Sequence, residues 1–110
     1  MNEMEYSLEI LETRALELQG HLTLKQIAKR YDRHCELYPE VKATMTKQRQ
    51  LTFLLQASRF YRLQNEQTGA EFLREAQELL KRLERKLFRR EHKTRFRAKF
   101  QRLFPEVLEA

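Results

Sequence analysis

The sequence predicts an all-α fold, a small helical bundle of four main helices followed by a short fifth helix at the C-terminus. Three observations indicate this class. Apolar residues recur every three or four positions, the 110 residues include only two glycines and two prolines, and 35% of the residues are charged against 41% apolar. Helices with one solvent-exposed face have this composition. At this length we expect a single domain over residues 1–110, near the size at which one core suffices.

The first predicted helix begins near Met4 and ends before Gly20, a residue that often terminates helices in the left-handed conformation. Its apolar positions alternate steps of four and three, so we expect them to face the core. These positions are Met4, Leu8, Leu11, Ala15, Leu18 and Leu22. The rest of the helix is acidic, with five glutamates against Arg14.

The second predicted helix starts after Thr23, because residues 23–26 have the form of a capping box, and is bounded by Pro39. Its inward positions are Leu24, Ile27, Ala28, Tyr31, Cys35 and Tyr38. Pro39 suits the first turn of a third helix, where its missing N–H costs nothing. That third helix carries apolar residues on nearly all sides up to Asn65, which predicts a central position.

The fourth predicted helix opens at a second capping-box pattern, residues 68–71. Its apolar seam is Leu73, Ala76, Leu80, Leu83 and Leu87, widened by Phe72 and Leu79. A later stripe, residues 96–104, would lie roughly opposite this seam on a continuous helix, so one straight helix cannot bury both. We expect a break at residues 92–94, with Thr94 capping a short fifth helix that ends at Pro105. Alternatively, one of the two stripes faces a partner.

Positive charge is concentrated between residues 81 and 102. This segment holds eleven Lys or Arg against two acids, Glu84 and Glu91, and carries a net charge of +9. The whole chain carries +6, so the other residues together are negative. A local excess of positive charge is typical of a surface that binds a polyanion.

We therefore predict a nucleic-acid-binding face on the fourth helix, opposite its leucine seam. Seven of the eleven cations are arginines, which suit forked contacts to phosphate. The predicted contacts are Lys81, Arg82, Arg85, Lys86, Arg89, Arg90 and Lys93, with Lys25, Lys29 and Arg33 of the second helix as a smaller row. The alternative is a solvated face that the acidic first helix partly neutralises.

An aromatic stripe follows in the same segment and consists of Phe96, Phe100, Leu103 and Phe104. Its helical spacing predicts packing in the core or against a partner protein. The three phenylalanines also have the spacing to stack on bases of a single strand, and a basic amphipathic stripe can lie on an anionic membrane. The stripe is short and ends at a proline, which argues against the membrane.

A helix-turn-helix is a further interpretation of residues 24–41. Asp32 stands where the tight turn needs glycine, and Arg33 stands where an apolar residue is expected. One uninterrupted helix to Tyr38 explains this segment better.

Catalysis is not indicated by any motif. His21, His34 and His92 are scattered, Cys35 has inward spacing, and no metal-binding, phosphate-loop or nucleophile-elbow pattern occurs. We predict a non-enzymatic protein with no catalytic residue, metal, cofactor or small-molecule substrate. With one cysteine, no secretion-signal pattern and no apolar run longer than three residues, it is predicted to be cytoplasmic and free of membrane contact.

Two functional hypotheses follow from these patterns. The first is a binding module for nucleic acid or a comparable polyanion, and the second is an adaptor or chaperone-like assembly subunit whose partner covers residues 96–104. The heptad-like seams at 4–22 and 73–87 either pair within the monomer or form a homodimer, and their spacing allows both. The residues do not distinguish DNA from RNA and specify no target sequence.

Overall fold

The computed structural model describes residues 1–108, which contain helices and no β-strand. The helices are α1 (Glu3–Gln19), α2 (Leu24–Val41), α3 (Lys47–Gln64), α4 (Glu66–Arg85), α5 (Arg90–Leu103) and α6 (Pro105–Leu108), with a 3-10 turn at Lys42–Thr44. The predicted all-α class is confirmed. The described residues form five longer helices and a sixth helix of one turn, whereas four main helices and a short fifth helix were predicted.

The chain has two compact units, one from Met1 to Arg49 and one from Gln50 onward. The single-domain prediction over 1–110 also includes residues 109 and 110, which lie outside the described residues. The first unit contains α1, α2 and the start of α3. The second contains the rest of α3 and helices α4, α5 and α6.

Two of the predicted helix boundaries in the first unit are confirmed. Gly20 caps α1 with φ of 71°, in the left-handed region. The capping box at the start of α2 is complete: the Gln26 N–H donates to the Thr23 hydroxyl at 3.2 Å, and the Thr23 N–H donates to the Gln26 side chain at 2.8 Å.

The predicted inward face of α1 is wrong. Met4, Leu8, Leu11 and Leu18 are 59 to 71% exposed and Ala15 is exposed, whereas Tyr6, Ile10 and Thr13 are buried. The reason is polar pairing with α2, which spacing of apolar residues does not reveal. The Tyr6 hydroxyl donates to the His34 carbonyl at 2.5 Å, and the Thr13 hydroxyl lies 2.7 Å from the His34 ring. Tyr6 and Thr13 are therefore the side chains that α1 turns toward α2.

The prediction that Pro39 lies in the first turn of α3 is wrong. Pro39 lies inside the last turn of α2. Tyr38 and Val41 are both buried, and their burial keeps the chain helical past the proline despite the missing N–H. The Thr44 hydroxyl then donates to the Val41 carbonyl at 3.0 Å in the 3-10 turn. α3 begins eight residues after Pro39, where the Thr46 hydroxyl accepts from the Arg49 N–H at 3.2 Å.

α3 is buried on nearly all sides, as predicted. From Gln50 to Tyr61, every residue except Thr52 and Arg59 is buried. Phe72 of α4 packs against this helix, with its ring stacked on Tyr61 at 5.8 Å between centroids.

A single residue, Asn65, separates α3 from α4. Its side chain accepts from the Thr68 N–H at 3.2 Å, so α4 is capped three residues earlier than the predicted Thr68. The tight turn brings Gly69 against α3. A Cβ at Gly69 would lie 2.7 Å from the Arg62 Cα and N, which leaves room only for glycine.

A break between α4 and α5 is confirmed, but the predicted position at residues 92–94 is wrong. The break occupies residues 86–89, and Thr94 lies inside α5, where its hydroxyl donates to the Arg90 carbonyl at 3.0 Å. Breaking earlier makes α5 fourteen residues long, and its aromatic residue Phe100 is buried. The predicted end of the fifth helix at Pro105 is confirmed, since α5 ends at Leu103 and is capped by Phe104. Pro105 then opens α6, whose Val107 is also buried.

Candidate nucleic-acid interface

The seven predicted nucleic-acid contacts of the second unit form what we call the α4–α5 basic surface. These residues are Lys81, Arg82, Arg85, Lys86, Arg89, Arg90 and Lys93, and all seven are exposed. They lie on the last turns of α4, in the break, and on the first turn of α5. No acid takes any of these positions.

The apolar face of α4 is what directs these cations to solvent. Ala76, Leu79 and Leu80 are buried, and Leu83 and Leu87 are half-buried. At ~100° per residue, burying these positions leaves the intervening Lys and Arg on the opposite side. Cations one helical turn apart are then about 6 Å apart along the axis, a spacing at which they can follow a chain of phosphates.

Few carboxylates lie near these cations: Glu78 is exposed one turn before Arg82 on α4, and two acids lie within the cationic segment itself. Within residues 81–102, all of which the structure describes, the acids are Glu84 and Glu91. Glu84 is half-buried and forms an ion pair with Arg97 of α5, with N···O distances of 2.7 and 2.9 Å. Its charge is therefore compensated locally, and Glu91 is the exposed acid of this segment.

Phe88, which was not among the predicted site residues, lies in the break and is fully exposed. Its neighbours on the chain include Lys86 and the consecutive Arg89 and Arg90. The sequence contained a signal for this exposure, because Phe88 falls outside the spacing of the α4 leucine seam. An exposed aromatic ring among cations can stack on a base or accept a cation on its face.

A second set of cations that the site prediction omitted lies on α5. Arg95, Lys99 and Arg102, together with Ala98 and Leu103, line a hollow of about 340 Å³. Their spacing of four and three residues was visible in the sequence. Three cations and no acid around one hollow favour an anionic group there.

The smaller predicted row on α2 is also exposed at Lys25, Lys29 and Arg33. Arg33, however, lines a hollow of about 240 Å³ whose walls include Glu9 and Glu12 of α1. These carboxylates oppose an incoming phosphate. In this row, Lys25 and Lys29 are therefore exposed to solvent, whereas Arg33 lies beside two acids.

The predicted partner surface, Phe96, Phe100, Leu103 and Phe104, is divided by the fold. Phe100 and Phe104 are buried, Phe96 is half-buried and Leu103 is exposed. The Phe96 and Phe100 rings contact each other edge to face, with 5.2 Å between centroids. Two of the four side chains are therefore enclosed within the folded chain.

α2 runs without interruption through Asp32 and Arg33, so the turn that a helix-turn-helix needs is not formed there. The uninterrupted helix predicted for this segment is confirmed, and it continues to Val41.

A buried polar cluster joins α1 to α2 around His34, which is 2% exposed. The Thr13 hydroxyl donates to the Glu9 carbonyl at 2.9 Å and accepts from the Arg30 Nε–H at 3.1 Å. The hydroxyl therefore also accepts from His34 Nε2–H, at 2.7 Å, and the ring is neutral with a bare Nδ1. Burial, with Arg30 and Arg33 nearby, lowers the pKa of His34 to about 4. Burial also raises the pKa of the Tyr6 hydroxyl, which keeps its proton as a donor.

From the lowered pKa of His34 we predict that the protein loses stability on mild acidification. Since the pKa of His34 is about 4 when folded and 6.5 when unfolded, the unfolded chain binds more protons between those values. Its contribution is complete above pH 6.5 and is lost as the pH falls toward 4. We expect the free energy of unfolding to be about 2 kcal/mol lower at pH ~5 than at pH ~8, measured by urea denaturation.

The matched variants are His34→Gln and His21→Gln, since His21 is exposed. The first should flatten the pH dependence above pH ~5, where most carboxylates remain ionised, and the second should leave it unchanged. A His34→Gln protein with the wild-type slope would contradict this assignment.

Among the described residues, no group of three His, Cys, Asp or Glu side chains is placed to hold a metal ion. No described helix combines the length and the apolar character that crossing a bilayer requires. Comparisons of the chain with protein-family models, curated protein sequences and solved structures give no match.

Proposed function

We propose that this protein is a non-enzymatic module that binds nucleic acid through the α4–α5 basic surface. The observation that carries the proposal is the exposure of all seven cations in a segment with one exposed carboxylate, Glu91. Binding would release counterions condensed on the phosphates, which supplies most of the affinity of such surfaces.

Phe88 favours nucleic acid over an acidic protein or another polyanion. A fully exposed phenylalanine costs solubility and adds nothing to binding of a bare polyanion. Beside Lys86 and Arg89 it is placed to meet a base while the cations hold the backbone, which is how unspecific single-strand binders are built. The α5 hollow with Arg95, Lys99 and Arg102 offers further phosphate contacts.

A protein-interaction role for the aromatic stripe has less support. Two of its three phenylalanines are buried in the fold: Phe100 is 1% exposed and Phe104 is 4% exposed. A partner would have to displace them from the folded chain to reach them. Leu103, the exposed member, lines a hollow with three cations, which suits an anionic ligand better than an apolar one.

The test is a salt titration of binding to fluorescein-labelled oligonucleotides of generic sequence, as single-stranded DNA, single-stranded RNA and duplex DNA. With about six phosphate contacts, affinity should fall by about 1,000-fold between about 50 and 200 mM salt. Polyglutamate of matched charge serves as the control and should compete poorly. The proposal fails if no oligonucleotide binds at low salt, if affinity does not depend on salt, or if polyglutamate competes equally well.

A further inference from the structure

Three exposed cations lie on the side of α5 that faces away from α4, and we call this side the α5 outer face. They are Arg95, Lys99 and Arg102. At ~100° per residue they fall within about 60° of one another around the helix. The opposite side of α5 is marked by Arg97, which pairs with Glu84 of α4, and by the buried Phe100. The three cations are centred roughly 170° from Arg97, so they project away from α4.

The α4–α5 basic surface reaches α5 on the side that faces α4. Its two members within this helix, Arg90 and Lys93, lie within about 40° of Arg97 and roughly 150° from the centre of the outer face. An α-helix with its side chains is about 10–12 Å across. A nucleic-acid backbone that follows the α4–α5 basic surface therefore leaves the outer face uncovered, unless the strand turns back around α5.

The outer face has the chemistry of a nucleotide site. Its three cations line the hollow of about 340 Å³ together with Ala98 and Leu103, and these lining residues include no acid. Glu91, which is exposed one turn before Arg95, offsets one of the three positive charges. A nucleotide can place its phosphate on the cations and its sugar or base against the two apolar side chains. A polymer of carboxylates would use the cations alone.

We propose that this protein bridges two nucleic-acid strands, one on the α4–α5 basic surface and a second on the α5 outer face. The inference rests on the proposed function, which assigns the first strand. Two phosphate backbones repel each other at short distance, and cations placed between them offset this repulsion. Helix α5 carries cations toward both strands. The protein therefore brings strands together in addition to coating them.

The number of strands bound to one protein is the first measurement. Sedimentation equilibrium of the full-length chain is run at low salt with an excess of single-stranded oligothymidylate of about 10 nucleotides, which is within the usual site size. Oligothymidylate does not pair with itself. The complex should contain one protein and two oligonucleotides. The second should bind more weakly than the first, since it meets three cations and the first meets seven.

Bridging is measured with a biotinylated oligothymidylate on streptavidin beads, which should retain a fluorescein-labelled oligothymidylate only when the protein is present. Replacing Arg95, Lys99 and Arg102 together by glutamine should lower the retained fluorescence by about tenfold or more. The same variant should bind one oligonucleotide, with an affinity within about tenfold of the first wild-type site, because distant charges are screened. All three side chains are exposed, so its helicity should be that of the wild type.

The matched control replaces Lys42, Lys47 and Arg74 by glutamine, which removes the same charge from exposed positions outside both faces and should bridge normally. The inference is overturned if the saturated complex holds one oligonucleotide per protein, if it contains two protein copies, or if the outer-face variant bridges like the wild type. In each of these outcomes a strand is still bound, so the proposed function stands. If no oligonucleotide binds at low salt, the proposed function and this inference both fail.

Discussion

Replacing Arg85, Lys86 and Arg89 together by glutamate is expected to reduce affinity for a generic single-stranded oligonucleotide by about 100-fold or more at low salt. Three cations that would contact phosphates become three anions that repel them. All three side chains are exposed, so the far-ultraviolet circular dichroism should match that of the wild type. Fluorescence anisotropy at several salt concentrations measures the affinity, and the salt dependence of the variant should become shallower by about three contacts.

The control for net charge is Lys42, Lys47 and Arg74 replaced by glutamate. These three residues are also exposed and are not among the predicted nucleic-acid contacts, and the change in net charge is the same. We expect this triple variant to lose about tenfold at most, since long-range repulsion is screened within about 10 Å at 0.1 M salt. Equal losses in the two variants would mean that total charge, and not the α4–α5 basic surface, governs binding. That outcome would remove the proposed site.

Phe88→Ala is expected to weaken binding to a single strand by about 5- to 150-fold, which corresponds to the roughly 1–3 kcal/mol that one stacked base contributes. Duplex binding, in which the bases are already stacked, should change much less. The free energy of unfolding should stay unchanged because the ring is fully exposed in the fold. Anisotropy titrations with single-stranded and duplex oligonucleotides of the same length measure the difference.

Two further variants separate stacking from simple loss of apolar surface. Phe88→Tyr keeps the aromatic face and should bind like the wild type, whereas Phe88→Leu keeps apolar area without a ring and should resemble Phe88→Ala. Leu63→Ala removes an exposed apolar side chain from α3 and should have no effect. If Phe88→Leu retains full affinity, the contact is not a stacking contact.

Apolar spacing was sufficient to predict the all-α class and the buried character of α3, and the identities of Thr23, Gln26 and Gly20 were sufficient to predict the capping box of α2 and the end of α1. These features are local, because they depend on residues within one or two helical turns of each other. The exposure of the cations on α4 was predictable for the same reason. It follows directly from burying the leucine seam.

The face of α1 could not be predicted from the same kind of pattern. Leu8 and Leu11 belong to a better apolar repeat than Tyr6 and Thr13, yet Tyr6 and Thr13 are buried because His34 provides a carbonyl and a ring nitrogen for them. That pairing joins residues 21 and 28 positions apart in the chain, so periodicity within one helix contains no information about it.

The break before α5 shows a similar limit. The apolar positions change phase between Leu87 and Phe96, which requires an interruption of the helix. The predicted position of this interruption was wrong because Thr94 was taken as a cap. A threonine is also compatible with a helix interior when its hydroxyl bonds back to the chain. In the structure Arg89 caps α5 without a side-chain hydrogen bond. No capping residue marks the true start, and the exposed Phe88 in the break was missed together with it.

Glu84 is negatively charged, yet through its ion pair with Arg97 it supports the arrangement of the cationic surface. Glu84 is on α4 and Arg97 is on α5, so the pair ties the two helices across residues 86–89. A count of charges treats Glu84 as a defect in a cationic segment. By tying α4 to α5, the same glutamate helps to hold the cations on the two helices at constant distances. Neutralising it would add positive charge and, at the same time, make the geometry that a polyanion would encounter less uniform.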